Sequence, residues 1–182
     1  YYMAYTGFIS DPYYCRSNQD EKITGNWDFE KNISVKGDAV FTKTIQGTAL
    51  NALWGDLAEV YACDINEVLL PGTLVKFGGK YEITKTEKND RHCFGVISTK
   101  PGVILNKKEV NGEKVALVGR VPCRIIGPIY KFDDVTTSHI PGVAKRKTLI
   151  DRLLLKPTIG KCLHTDTTFG EKNVEIFVHA EK

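Results

Sequence analysis

Leu69-Leu70-Pro71-Gly72-Thr73-Leu74-Val75-Lys76-Phe77-Gly78-Gly79-Lys80-Tyr81-Glu82-Ile83-Thr84-Lys85 decides the fold class. Pro71-Gly72 closes a turn, Thr73 to Phe77 reads as a strand, Gly78-Gly79 as a hairpin turn, and Lys80 to Lys85 as the partner strand. The same alternation of short strand and turn continues downstream. Cys93 to Ser98, Lys114 to Val118, Val121 to Ile126, Ile129 to Phe132, Ile159 to Leu163 and Val174 to Val178 are strand candidates. Gly127-Pro128 and Pro141-Gly142 mark turns, and Pro122 puts its strand at an edge or a bulge. Thr148 to Leu155 reads as a short helix or an exposed hairpin arm. Residues 48–182 are therefore expected to form a compact, mainly β domain of many short strands, packed as a barrel or sandwich.

Upstream the pattern differs. Large apolar residues recur every six positions as Trp27, Ile33, Ala39 and Ile45, and again as Phe29, Val35 and Phe41. Polar residues and glycine, such as Lys31-Asn32 and Lys36-Gly37-Asp38, fill the gaps. A six-residue repeat of short strands predicts β-prism or solenoid rungs over residues 25–47. So few rungs cannot bury their own apolar face, so the neighbours must be other copies of the chain. Three chains around a threefold axis would make a slender stalk, with Trp27, Phe29, Ile33, Val35, Phe41 and Ile45 as its contacts. An ordinary pair of hairpins turning at Gly25, Gly37 and Gly47 is the alternative. Residues 1–24 are rich in tyrosine and lack periodicity, and read as part of a longer chain.

The 182 residues include 42% hydrophobic and 26% charged side chains, ordinary globular usage that excludes disorder and collagen-like repeats. No apolar run approaches the ~20 residues of a membrane helix, and no leader peptide is visible. The chain begins at Tyr1 and has its one methionine at position 3, which reads as a piece of something longer, a fibre fragment rather than a matured self-cleavage product. The balance of 25 − 22 = +3 is too weak for a nucleic-acid footprint. Lys145-Arg146-Lys147 reads as a solvated loop. Five widely spaced cysteines (Cys15, Cys63, Cys93, Cys123, Cys162) without a Cys-x-x-Cys pair read as reduced thiols, several buried as small hydrophobes.

Candidate chemistry is sparse. His92, His139, His164 and His179 stand singly, and His92 and Cys93 are adjacent, which in a strand points them to opposite faces. No metal or cofactor site is expected. Asp56 and Glu59 are the carboxylates that invite a mechanism: three apart on the helical turn expected over Asp56 to Tyr61, they would share a face and could run acid–base hydrolysis within the chain. The same spacing fits a helix cap, with Glu59 reaching back in a capping box.

From Gly47 onward the chain resembles a C-terminal domain of tail-fibre and other virion structural proteins of tailed bacteriophages. The resemblance rests on ordered pieces: Gly55-Asp56-Leu57-Ala58-Glu59 with Tyr61, Leu70 to Gly79, and Gly95-Val96-Ile97-Ser98-Thr99 with Pro101. It continues through Ala116 to Cys123, Pro141 to Ala144, Ile159-Gly160-Lys161 and Val174 to Val178. The Gly25-x-Trp27-x-Phe29 opening looks like the thin stalk that precedes such domains. Two pieces depart from the pattern: Lys100 stands where asparagine is common before Pro101, and Lys131-Phe132-Asp133 where a Lys-Gly-Asp turn is favoured. Because phenylalanine avoids positive φ, that turn is expected to differ. Asp56 to Tyr61 is also distantly similar to the opening of autoprocessing intramolecular-chaperone domains of phage appendages.

The resemblance implies a homotrimeric virion component, a tail fibre, spike or connector segment, folded in the host cytoplasm and partnered by other virion structural proteins. It implies no enzyme, no cofactor, no nucleic acid and no membrane insertion. Two other readings stay open: a self-cleaving chaperone using Asp56 and Glu59, and a tip binding a host surface receptor through the tyrosines and the loops around His139 and Lys145.

Overall fold

The computed structural model describes residues 33–42, 55–107 and 111–179. The chain divides into two compact units, Tyr1–Gly47 and Thr48–Lys182. Within the first, residues 33–42 carry no helix or strand.

The second unit is mainly β. Its strands are β1 (Asp56–Ala62), β2 (Leu74–Phe77), β3 (Ile83–Lys85), β4 (Cys93–Ile97), β5 (Val103–Leu105), β6 (Gly112–Ile126), β7 (Asp134–Thr137), β8 (Ala144–Arg146), β9 (Gly160–Cys162) and β10 (Glu171–Val178). One short helix, α1 (Leu149–Leu153), joins β8 to β9. The strands run in the order β10-β9-β7-β8-β6, and β10 pairs back onto β6, so five strands close a barrel. Beyond it, β6 continues into a second sheet with β4, β2 and β3 on one side and β1 and β5 on the other.

β6 is the spine. Its 15 residues merge two strands that the sequence separates at Gly119. Before Gly119 it pairs with β1; after it, with β10; Gly119 itself lies opposite both Asp56 and Val178. The register with β1 skips Leu117, a bulge that shifts the inward-facing positions by one residue. Ala116 faces the barrel core, as do Val121, Cys123 and Ile125 after the shift, while Val115 and Leu117 face a second core with Cys63, Leu69, Val75, Ile83 and Ile97. Gly119 has φ +113, and a Cβ there would sit 2.2 Å from the Gly55 carbonyl oxygen. Pro122 lies where β6 has β10 on one side and no strand on the other, matching the edge expected for it.

Three local expectations are corrected. Asp56–Ala62 is a strand, not a helix, because it is paired on both sides and buries alternate residues Asp56, Ala58 and Val60. Lys145-Arg146-Lys147 is no solvated loop: Lys145 and Arg146 belong to β8, and their ion-pair partners are Asp151 and Asp133, while Lys147 Nζ donates to Thr158 Oγ1 at 2.6 Å. The Lys131-Phe132-Asp133 turn keeps a left-handed residue despite losing glycine, with Phe132 at φ +72. Three bonds hold it there: Phe132 N–H to Cys162 O (2.9 Å), Asp133 N–H to Tyr130 O (3.0 Å), and Tyr130 N–H to the Asp133 carboxylate (2.9 Å). They outweigh the ~1–2 kcal/mol that a side chain costs in that region.

The helix α1 is inverted relative to a core helix. Its buried residue is Asp151, while Leu149, Ile150 and Leu153 face outward. Thr148 and Asp151 form a reciprocal capping box, and the Asp151 carboxylate also meets Lys145 at 2.7 Å and Lys156 at 3.0 Å. The Asp151 and Lys156 side chains are 3% and 5% exposed. Burial alone would raise the Asp151 pKa, but Lys145, Thr148 and Lys156 hold it far below the usual carboxylate range.

Gly119→Ala should cost ~3 kcal/mol or more in urea unfolding, because strain and a backbone clash add. Gly127→Ala, at φ +80 with open space around it, should cost only ~1 kcal/mol. Equal losses would refute the packing role given to Gly119. Asp151→Asn strands two lysines beside a neutral amide and should destabilise by ~3–5 kcal/mol at neutral pH. The folded Asp151 pKa lies below its unfolded value of ~3.9. Its contribution is thus complete above about pH 5 and lost as pH falls through the folded value. Acid unfolding of the wild type should be steeper below pH 5 than that of Asp151→Asn.

Candidate functional site

The strand geometry of β1 separates the two carboxylates singled out by sequence. Residues three apart in a strand point to opposite faces. Asp56 faces inward and accepts a 2.6 Å hydrogen bond from Ser98 Oγ, with both groups buried. Glu59 lies on the other face and accepts from the Tyr61 hydroxyl at 2.8 Å. The Tyr61 phenol is pushed up to about 12, first by burial and then by Glu59. Each carboxylate is thus committed to its own hydroxyl, and the helical shared face is not formed.

The six residues assigned to stalk contacts fall in the other unit. Trp27, Phe29 and Ile45 lie outside the described residues. Ile33, Val35 and Phe41 are exposed, each more than half so.

A charged arrangement around Asp134 was not singled out by sequence. Asp134, at the start of β7, is buried and binds Lys161 through one carboxylate oxygen and Arg152 through the other. Lys161, Arg152 and the charge they bring keep the Asp134 pKa below the usual range, against the opposing effect of burial. Beside this pair, Phe132, Asp133, Arg146, Lys147 and Leu149 line an open cleft of ≈ 540 Å³. Arg146 bonds Asp133 at 3.0 Å and lies over the Tyr130 ring at 5.4 Å. The cleft combines basic side chains with exposed apolar ones.

The histidines and cysteines lack catalytic arrangements among the described residues. His164 Nε2 lies 3.1 Å from Glu175, and His92 and His139 are exposed. Burial pushes the Cys93 thiol up to about 12 and raises Cys123 further, so these thiols are protonated at neutral pH. Cys63, Cys93, Cys123 and Cys162 are free thiols, and no group of three or more His, Cys, Asp or Glu among the described residues could hold a metal ion. No helix among them is long and apolar enough to cross a membrane.

No family model matches the chain, nor does any curated protein sequence. Solved structures do. The chain is similar to the pre-mature form of bacteriophage phi29 gene product 12, with a TM-score of 0.56 and 16% identity over 75% of this chain. That match spans 23% of the phage protein's chain. A C-terminal fragment of the same gene product aligns over 68% of this chain and 99% of the fragment, with a TM-score of 0.49 and 18% identity. At 16% identity and a TM-score of 0.56 the first likeness is one of fold alone.

Proposed function

We propose that this chain is a segment of a structural protein of a bacteriophage virion, a tail fibre, spike or connector, in which the barrel unit is a head on a trimeric stalk. The observation that carries the reading is the fold likeness to phi29 gene product 12 over most of the chain. The role is mechanical. The chain folds in the host cytoplasm, joins three copies through residues 25–47, and meets other virion structural proteins in the assembled particle. Exposure of Ile33, Val35 and Phe41 in a single chain fits this reading, since apolar rungs await their neighbours.

Two alternatives are less well supported. A self-cleaving chaperone would use Asp56 and Glu59 together, yet they occupy opposite faces of β1. A receptor-binding tip would offer Lys145 to a ligand, yet Lys145 is already paired with buried Asp151. His139 is exposed.

Light scattering on the full chain should report a trimer, and Phe29→Asp or Val35→Asp should reduce it to a smaller species with unchanged far-UV circular dichroism. A Val35→Asp chain that still runs as a trimer would sink the stalk. In a longer precursor, Glu59→Gln should leave the pattern of chain lengths unchanged. Loss of a cleavage product on that substitution would instead support self-processing.

A further inference from the structure

The barrel unit exposes two apolar surfaces of opposite charge character. The first is the ridge on and after α1: Leu149, Ile150, Leu153, Leu154 and Leu155 are between 46% and 81% exposed. Together they present on the order of 600 Å² of largely apolar surface, at the top of the ~300–600 Å² range for the largest patch of a monomer. That is most of the ~800 Å² that each partner contributes to a stable interface. The ridge is held outward by design of the polar contacts beneath it, since Asp151 is locked inward by Lys145, Lys156 and the capping box. Basic groups flank it: Leu149 shares its cleft with Arg146, Lys147, Arg152 and Lys161, against Asp133 and Asp134.

The second surface lies around the tip of β2. Phe77 is 58% exposed, stacks on Phe94 at 3.9 Å between centroids and meets the Tyr61 ring edge-on at 5.7 Å. Carboxylates surround it. Glu59 accepts from Tyr61, Glu82 accepts from the Ala62 N–H, and Glu113 lies opposite Tyr61 in the β1–β6 register. Both surfaces belong to one unit and both stand exposed in the single chain, so one chain's ridge does not cover its own aromatic patch.

We infer that the α1 ridge of one copy docks on the carboxylate-ringed Phe77 patch of a second copy of this chain. The apolar areas supply the driving force, and the charges supply the choice of partner face. Ridge against ridge would set Arg146, Lys147, Arg152 and Lys161 against their own counterparts, a like-charge contact that disfavours a twofold pair. Ridge against patch is heterologous, a contact that closes a ring where the rotation between copies divides a full turn. The inference stands on the barrel unit and goes beyond the stalk reading, because it joins the heads directly.

The test is zero-length carbodiimide cross-linking of the full chain, prepared as an equal mixture of ¹⁴N- and ¹⁵N-labelled copies and mapped by mass spectrometry. The expected result is inter-copy links joining Lys147 or Lys161 to Glu59, Glu82 or Glu113. They should be lost in Leu153→Glu and in Phe77→Asp, both at exposed positions where circular dichroism should show an intact fold. Mixing those two variants should restore links from the Lys147 and Lys161 of Phe77→Asp to the carboxylates of Leu153→Glu, since that pairing alone keeps one ridge and one patch intact. An assembled chain without these links, or links unchanged in both variants, would overturn the inference. Val35→Asp separates the two contacts: links that persist in it at high protein concentration support direct docking of the heads. Links that vanish with the stalk would overturn direct docking, since the heads would then touch only because the stalk gathers them.

Discussion

A single peptide plane governs the architecture: the close approach of Gly119 to the Gly55 carbonyl, where β6 changes partner from β1 to β10. A strand with unbroken alternation presents one residue set to one core along its whole length. Here the bulge at Leu117 and the positive φ at Gly119 shift that alternation. The same chain can then face Val115 and Leu117 to one core and send Val121, Cys123 and Ile125 into the barrel. Without that shift, Val121 and Ile125 would turn away from the barrel and Arg120 and Arg124 would turn into it. The shared spine makes the outer sheet and the barrel one body rather than two packed pieces.

Polar contacts do the orienting that apolar burial does in most helices. α1 is only 5 residues long, too short to be stable on its own. Rotating it to bury Leu149, Ile150 and Leu153 would gain apolar burial but would leave Lys156, almost fully enclosed, without a counter-charge. An unpaired buried charge is the larger loss. The carboxylate of Asp151 therefore sets which face of the helix meets solvent. A neighbouring carboxylate, Asp134, draws Arg152 and Lys161 to the same end of the barrel and gathers base-rich surface around the exposed leucines.

Much of the β pattern was legible in the residues. The Leu74–Phe77 and Ile83–Lys85 hairpin, the Cys93–Ile97 strand, and the Gly160–Cys162 and Glu171–Val178 strands follow from local alternation and turn dipeptides. Where reading failed, a long-range partner had overruled a local preference. Asp56 to Tyr61 has the composition of a helical turn, but β5 and β6 flank it and make it a strand. Phe132 is a poor residue for positive φ, but Cys162 and Asp133 hold the turn in place. Lys145 and Arg146 look like solvated charges until Asp151 and Asp133, brought in by α1 and the β7 turn, are opposite them. The charged cleft was illegible for the same reason, since its residues come from the β7 turn, the β8–α1 stretch and β9.

The residues alone determined that residues 48–182 would be mainly β, and where most strands would lie. These are properties of period and turn chemistry, which act over a few residues. Only the tertiary structure decided that β6 is one strand serving two cores, that Asp56 and Glu59 face apart, and that the leucines of α1 stand outward beside a ring of bases. Each of those outcomes depends on a pairing between groups distant in sequence, whose geometry no local pattern encodes.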